Sequence, residues 1–268
     1  MELNHDVVTE PPRASATVVL LRDDRGRGLE VFLLRRHTAS AVLGGAHVFP
    51  GGKLDSEDAQ SPWHRQLDAA EQSRLHAALA EPDLSPAQAL GLYVAAVREM
   101  QEECGVVMTP ADLQPWTRWI TPVQPSVTNR RFDTRFFVAR LPQGQEPRHD
   151  DVEAVDSLWL PPREALHRYW ARELSLAPPQ IMTLAGLCAH DSVASVWTQA
   201  QQQRPPRILP EPFDEAGIRN LCYPGDPRHS VRTRAMRGPT RLRFIASRFE
   251  PEGGLDALLQ PGHDERLP

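Results

Sequence analysis

The sequence is almost without lysine. Lys53 is the only one among 30 Lys and Arg, so nearly every basic residue is arginine. Arginine suits phosphate recognition, but a bias this complete belongs to the composition as a whole. A single arginine is therefore a weak pointer to function. Cysteine is scarce: Cys104, Cys188 and Cys222 are far apart and odd in number. That excludes a disulfide framework and a cysteine zinc site, and it fits a reducing compartment. No apolar run approaches the ~20 residues of a membrane helix, and mean hydropathy is −0.45. The opening "MELNHDVVTEPPRAS" has no basic segment leading into an apolar one, so no secretory leader is expected. Positive charge is not in excess either. A net charge of −5 and a pI near 6.1 argue against a general nucleic-acid binder.

What remains is a chain expected to be cytoplasmic, with no membrane association. Its 268 residues, 40% of them hydrophobic, suffice for one large domain or one domain plus an extension. Two β-branched-rich runs, "ATVVLLRD" (16–23) and "EVFLLRRH" (30–37), flank the turn-former "DRGRG" and predict a hairpin. "AHVFPGGKLD" (46–55) reads as a short strand entering a Pro-Gly-Gly turn. Residues 59–84 form a polar helical insertion with a thin stripe of Leu67, Leu75 and Leu79. Strands are expected in "WTRWITP", "RRFDTRFFVARL" and "AVDSLWL", and a helix from "PPREALHRYWAREL". Beyond about residue 173 come two helical segments, "LAPPQIMTLAGLCAH" and "SVASVWTQAQQQ", then Pro-rich stretches and one late strand, "TRLRFIASRF". The last dozen residues are expected to be loose.

The most informative helix runs between clear signals. Ser85 is the N-cap, Pro86 the first helical residue, Gln88 completes a capping box, and Gly105 ends the helix. At about 100° per residue, Leu90, Tyr93, Val97, Met100 and Cys104 share one side, with Cys104 buried rather than nucleophilic. Glu99, Glu102 and Glu103 fall roughly opposite, facing outward together. Arg98 precedes Glu102 by four residues and can pair with it. Like charges at Glu99 and Glu103 cost only ~0.2–0.5 kcal/mol on an exposed helix. Alone, three such carboxylates fit a solvated face better than a metal site.

Their surroundings change that balance. "REMQEECGV" (98–106) matches the second half of the Nudix box at every fixed position, and "FPGGKLD" (49–55) resembles the glycine turn that opens the box. With Gly52 as the box glycine, Asp58 stands where the first glutamate belongs. The 39 residues 59–97 then separate Asp58 from Arg98, where the standard box has seven. This insertion resembles the Nudix motif 19 type, a group similar to coenzyme A and acyl-coenzyme A diphosphatases. "GGAHVFPGGKLD", "VREMQEECGVV", "RWITP", "NRRFDTRFFVARL", "VEAVDSLWLPPREAL", "LAPPQ" and "YPGDP" follow in that group's order from about residue 16 to 227.

The resemblance implies an α/β fold: a Nudix α/β/α sandwich with a mixed sheet, a helical insertion and a C-terminal extension. Expected boundaries are a flexible tail over 1–13, a Nudix domain over 14–172 with the insertion at about 59–84, and a helical, Pro-rich extension over 173–268 packed on it. It implies Mg²⁺ or Mn²⁺ held by Glu99, Glu102, Glu103 and the Gly51 carbonyl, with Arg98 orienting Glu102. Hard cations want such oxygens, and they make a diphosphate susceptible to water. Asp58 departs from glutamate and is not expected to ligate.

A further acid from a downstream loop, with Glu153 ahead of Asp150 and Asp151, is a candidate ligand or base. Arg130 and Arg131, the latter first, are candidate phosphate contacts. Phe132 is a candidate adenine-stacking face, although core packing is the favoured reading for it. Trp159 and Leu160 are expected in the core. The expected activity is hydrolysis of coenzyme A or acyl-coenzyme A to 3′,5′-ADP and (acyl-)4′-phosphopantetheine. NADH or ADP-ribose as substrate is one alternative, and a non-catalytic nucleotide-binding regulator is another. The expected partner is a small nucleotide, and a homodimer is left open. The C-terminal "DERLP" lacks a Ser-Lys-Leu-like peroxisomal address.

Overall fold

β1 (Arg13–Asp24) and β2 (Gly28–Arg36) pair antiparallel across the "DRGRG" turn, where Asp24 Oδ1 accepts from the Gly26 and Arg27 amides. A computed structural model describes residues 3–40 and 42–260. β1 is central to the main sheet. It also pairs antiparallel with β4 (Gly51–Lys53) and parallel with β6 (Phe132–Arg140). The sheet runs β3-β2-β1-β6-β5-β8, where β3 is His47–Val48, β5 Leu113–Ile120 and β8 Arg207–Ile208. β7 (Ala154–Leu160) pairs on β2. Parallel β1–β6 and β5–β8 beside antiparallel neighbours make the sheet mixed.

Alternation along β1 sorts the core into two halves. Ala16, Val18 and Leu20 point to one face, against the long helix α3 (Pro86–Cys104) and the insertion helices α1 (Trp63–Gln66) and α2 (Ala69–Leu79). Val19 and Leu21 point to the other, against α4 (Pro162–Trp170), α5 (Pro178–Leu187) and α6 (Val193–Gln202). The result is an α/β/α sandwich. α3 carries the capping box of Ser85 and Gln88 and ends at Gly105, whose φ is +67°. In α2, Leu75 and Leu79 are buried and Leu67 packs beside them.

The C-terminal region holds more strand than its sequence suggests. β9 (Glu211–Glu215), β10 (Ile218–Cys222), β11 (Arg241–Ile245) and β12 (Arg248–Glu250) form a second, four-stranded antiparallel sheet. The expected single strand "TRLRFIASRF" is a hairpin, turned at Ala246 and Ser247 with φ of +47° and +65°. Strands this short and broken by Pro210 and Pro212 show no readable alternation. Tyr223, Leu242 and Phe249 join the same core as Val19 and Trp119, so this sheet is packed on the main one. α7 (Gly254–Leu259) buries Leu258, within the dozen residues expected to be loose. "DERLP" lies outside the described residues.

The tail expected to be flexible is also held. The Asn4 and Val8 amides donate to the Ser126 and Val123 carbonyls, and Val8 is buried. These bonds reach a distant loop, which no local pattern reveals. No helix among the described residues is long and apolar enough to cross a membrane.

Candidate active site

The glycine turn and the end of α3 meet directly. Gly51 and Gly52 lie opposite Thr17 and Ala16 on β1. A Cβ on Gly51 would come within 2.7 Å of Thr17 Oγ1, and one on Gly52 would run into the Glu99 carboxylate. Glycine at both positions lets side chains lie against bare backbone. The Gly51 amide donates to Glu103 Oε2 at 2.8 Å.

The three carboxylates do not face outward together. Glu103 is buried at 5% exposure, Glu99 is half-buried and Glu102 is exposed. The reason is that the turn and the 3-10 segment Asp58–Gln60 roof the side of α3 that a helical projection leaves open. Burial pushes the Glu103 carboxyl up to about 8, against the pull of the Gly51 amide and with a further push from Glu99. Burial raises Glu99 too, opposed by Arg98.

Arg98 is the hub. Its Nε and Nη2 grip Asp58 bidentately at 2.9 and 3.0 Å, and Nη2 also donates to the Lys53 carbonyl. Nη1 reaches Glu99 Oε1 at 2.8 Å and Glu102 Oε2 at 2.9 Å. Asp58, dismissed as a ligand from sequence, is 3% exposed and anchors this guanidinium, with the Asp55 amide as a third partner. Sequence reading missed that role. Its one available signal was the acid at the box position.

Around this centre, Glu153 is exposed and sits 3.6 Å from Arg36, and both act electrostatically on Glu103. Arg36 was also missed; it is half-buried at the end of β2. Asp150 is spent on the Val152, Glu153 and Ala154 amides, which hold its carboxyl below the usual range. Asp151 pairs with His149. Among the described residues, no three His, Cys, Asp or Glu side chains converge tightly enough to hold a metal as they stand. Arg98 occupies the oxygens of Glu99 and Glu102 that would have to turn inward.

The "NRRFDT" segment divides its work. Arg131 donates from Nε to the Thr121 carbonyl and from Nη1 to that of Glu10, so it braces the loop. The exposed Arg130 side chain makes no hydrogen bond among the described residues. Phe132 is half-buried on a cavity wall, not in the core as expected, because β6 begins there at the sheet's open end. Asp133 and Arg135 point to the α3 face and join Arg118 and Glu81 in an ion-pair network. Through it the sheet holds the end of the insertion. Leu160 is buried in the core, Trp159 packs at its edge under Arg22, and Cys104 is buried with its thiol raised by desolvation.

Residues 109–187 match a family model described as the NUDT19 Nudix domain. The chain resembles a Nudix hydrolase of the NUDT19 type. It is 27% identical over 263 residues to the acyl-coenzyme A diphosphatase NUDT19 of Gallus gallus, covering 68% of this chain and 69% of that protein. The Homo sapiens protein of the same name is 26% identical over 243 residues, covering 65% and 64%. The chain thus spans about two thirds of the length of these relatives. A NUDIX hydrolase structure from Alicyclobacillus acidocaldarius superposes with a TM-score of 0.56 at 27% identity, over 74% of this chain and 99% of that one. The interrupted Nudix box is reassembled in space. Asp58 and Arg98, at the two ends of the 39-residue gap, are in direct contact.

Proposed function

We propose that this Nudix hydrolase is a metal-dependent diphosphatase acting on coenzyme A or acyl-coenzyme A, releasing 3′,5′-ADP and (acyl-)4′-phosphopantetheine. The supporting observation is the buried Glu103 carboxyl against the Gly51–Gly52 turn, in a chain whose relatives carry the name acyl-coenzyme A diphosphatase. A buried carboxylate beside two more, with exposed backbone and no soft ligands, is a hard-oxygen donor set that fits Mg²⁺ or Mn²⁺. Glu99, Glu102, Glu103 and the Gly51 carbonyl would hold the ion, and Glu102 is exposed enough to turn. When bound, such an ion neutralises diphosphate charge and acidifies a water.

The chain's own groups then have distinct tasks. Arg98, locked on Asp58, keeps Glu99 and Glu102 in register beside the turn. Glu153 stands within reach as the downstream acid. Arg36 supplies positive charge at the same end of the sheet. Arg130 is the guanidinium free to hold a 3′-phosphate. A hydrolysis screen over coenzyme A, acetyl-coenzyme A, NADH and ADP-ribose with Mg²⁺ or Mn²⁺, products identified by mass, tests the reading. Cleavage of NADH or ADP-ribose with coenzyme A untouched would overturn the substrate assignment.

A further inference from the structure

A cavity of about 180 Å³ lies on the face of the main sheet away from α3, walled by Trp119, Phe132 and Phe136. Thr17 lines it and also lies against Gly51, whose amide donates to Glu103, so one residue of β1 links the cavity to the glycine turn. None of the described residues lining it is charged. A phosphate would find no counter-ion there, and an uncharged group would be desolvated at little cost.

Two polar side chains in its wall have no partner among the described residues. Gln180 is 7% exposed with its Oε1 unpaired, and Ser126 is 5% exposed with its Oγ unpaired. Buried polar atoms are ordinarily satisfied, so an acceptor and a hydroxyl left over in an aromatic cavity call for a ligand bearing complementary groups. Size narrows the choice. A cavity of roughly 150 Å³ takes one benzene ring, so this one admits a single ring system and not a flexible arm with an acyl chain.

We infer that this cavity binds the purine base of the nucleotide, with Gln180 and Ser126 reading its edge and Phe132 contacting its face. This rests on the proposed reading that the diphosphate is cleaved at the glycine turn. Base amino groups donate well to an amide oxygen, and aromatic walls bind the ring. Arg130, on the segment leading into Phe132, then lies on the side where the ribose phosphate would emerge.

The test is direct binding, by calorimetry, of three compounds to the wild type, Gln180→Leu and Ser126→Ala. They are 3′,5′-ADP, its counterpart carrying unsubstituted purine, and 4′-phosphopantetheine. The wild type should prefer the adenine nucleotide about three- to tenfold, the scale of one neutral hydrogen bond. Gln180→Leu should bring the two nucleotides within about twofold. Ser126→Ala, which removes a hydroxyl the fold does not use, should weaken both and leave 4′-phosphopantetheine unchanged. Loss of 4′-phosphopantetheine binding with 3′,5′-ADP unaffected, or no change in either variant, would overturn the assignment. The proposed function fails separately: base preference without coenzyme A hydrolysis removes the substrate reading and leaves the pocket. Hydrolysis without base preference does the reverse.

Discussion

At the scale of single residues, the site is governed by how differently three neighbouring carboxylates are solvated. Glu103→Gln and Glu102→Gln each keep side-chain volume and remove a charge that a bound cation would need. Turnover should fall by at least about two orders of magnitude for one or both, since such charge stabilisation is worth several kcal/mol. Near-wild-type rates in both would return α3 to a merely solvated surface. Glu103 has a second consequence. Its folded carboxyl titrates near 8 against an ordinary 4.5, so between those values the folded state holds a proton that the unfolded state has released. Unfolding stability must then decline as pH rises. The contribution is whole below about 4.5 and lost once pH passes about 8. Melting temperature of metal-free protein, followed from pH 5 to 8.5, should therefore fall more steeply in the wild type than in Glu103→Gln. Parallel curves would show that Glu103 ionises normally.

At the scale of elements, the two glycines of the turn make opposite predictions. Gly52→Ala first meets the end of a flexible Glu99 side chain, which can move. Activity should drop at least about tenfold, with a melting temperature within roughly 2 °C of wild type. Gly51→Ala meets the β1 backbone and should cost roughly 1–3 kcal/mol of stability, the scale of an overpacked site. Equal melting temperatures for the two variants would contradict this division. The insertion gives another test at this scale. Glu81→Gln removes one of the two acids, the other being Asp133, that Arg118 and Arg135 share, the latter arginine 4% exposed. Amide exchange should accelerate in α2 well before it does in α3; uniform change would show that the network does not hold the insertion. Elements were also where the sequence spoke most clearly. The caps of α3 and the β1–β2 hairpin follow from local chemistry within a few residues. The second sheet does not, because its three- to five-residue strands lack a period to detect. Nor does the Asp58–Arg98 contact, which spans 40 positions and exists only once α3 has docked.

At the scale of the whole molecule, the two faces of the main sheet take on different work around one glycine turn. Carboxylates and the insertion lie on the α3 face. The uncharged cavity and the C-terminal region lie on the other, and β1 carries Thr17 and Ala16 between them. A substrate that spans both must be long and chemically divided, with a base at one end, a diphosphate in the middle and an arm beyond. The added 3′-phosphate distinguishes coenzyme A from its dephosphorylated form, and a guanidinium can hold it bidentately. Arg131 spends Nε and Nη1 on the Thr121 and Glu10 carbonyls, whereas Arg130 is exposed with its side chain unengaged among the described residues. Dephospho-coenzyme A should therefore be the poorer substrate, and Arg130→Ala should narrow the gap in kcat/KM by about three- to thirtyfold, as one exposed or partly screened charged contact allows. Arg131→Ala should instead lower stability, since it frees the loop that the N-terminal segment crosses, and should reduce both substrates alike. Steady-state kinetics on the two substrates, set beside melting curves for the two variants, decides between them. If Arg131→Ala alone closes the gap, the phosphate sits on the bracing arginine and the loop must rearrange on binding.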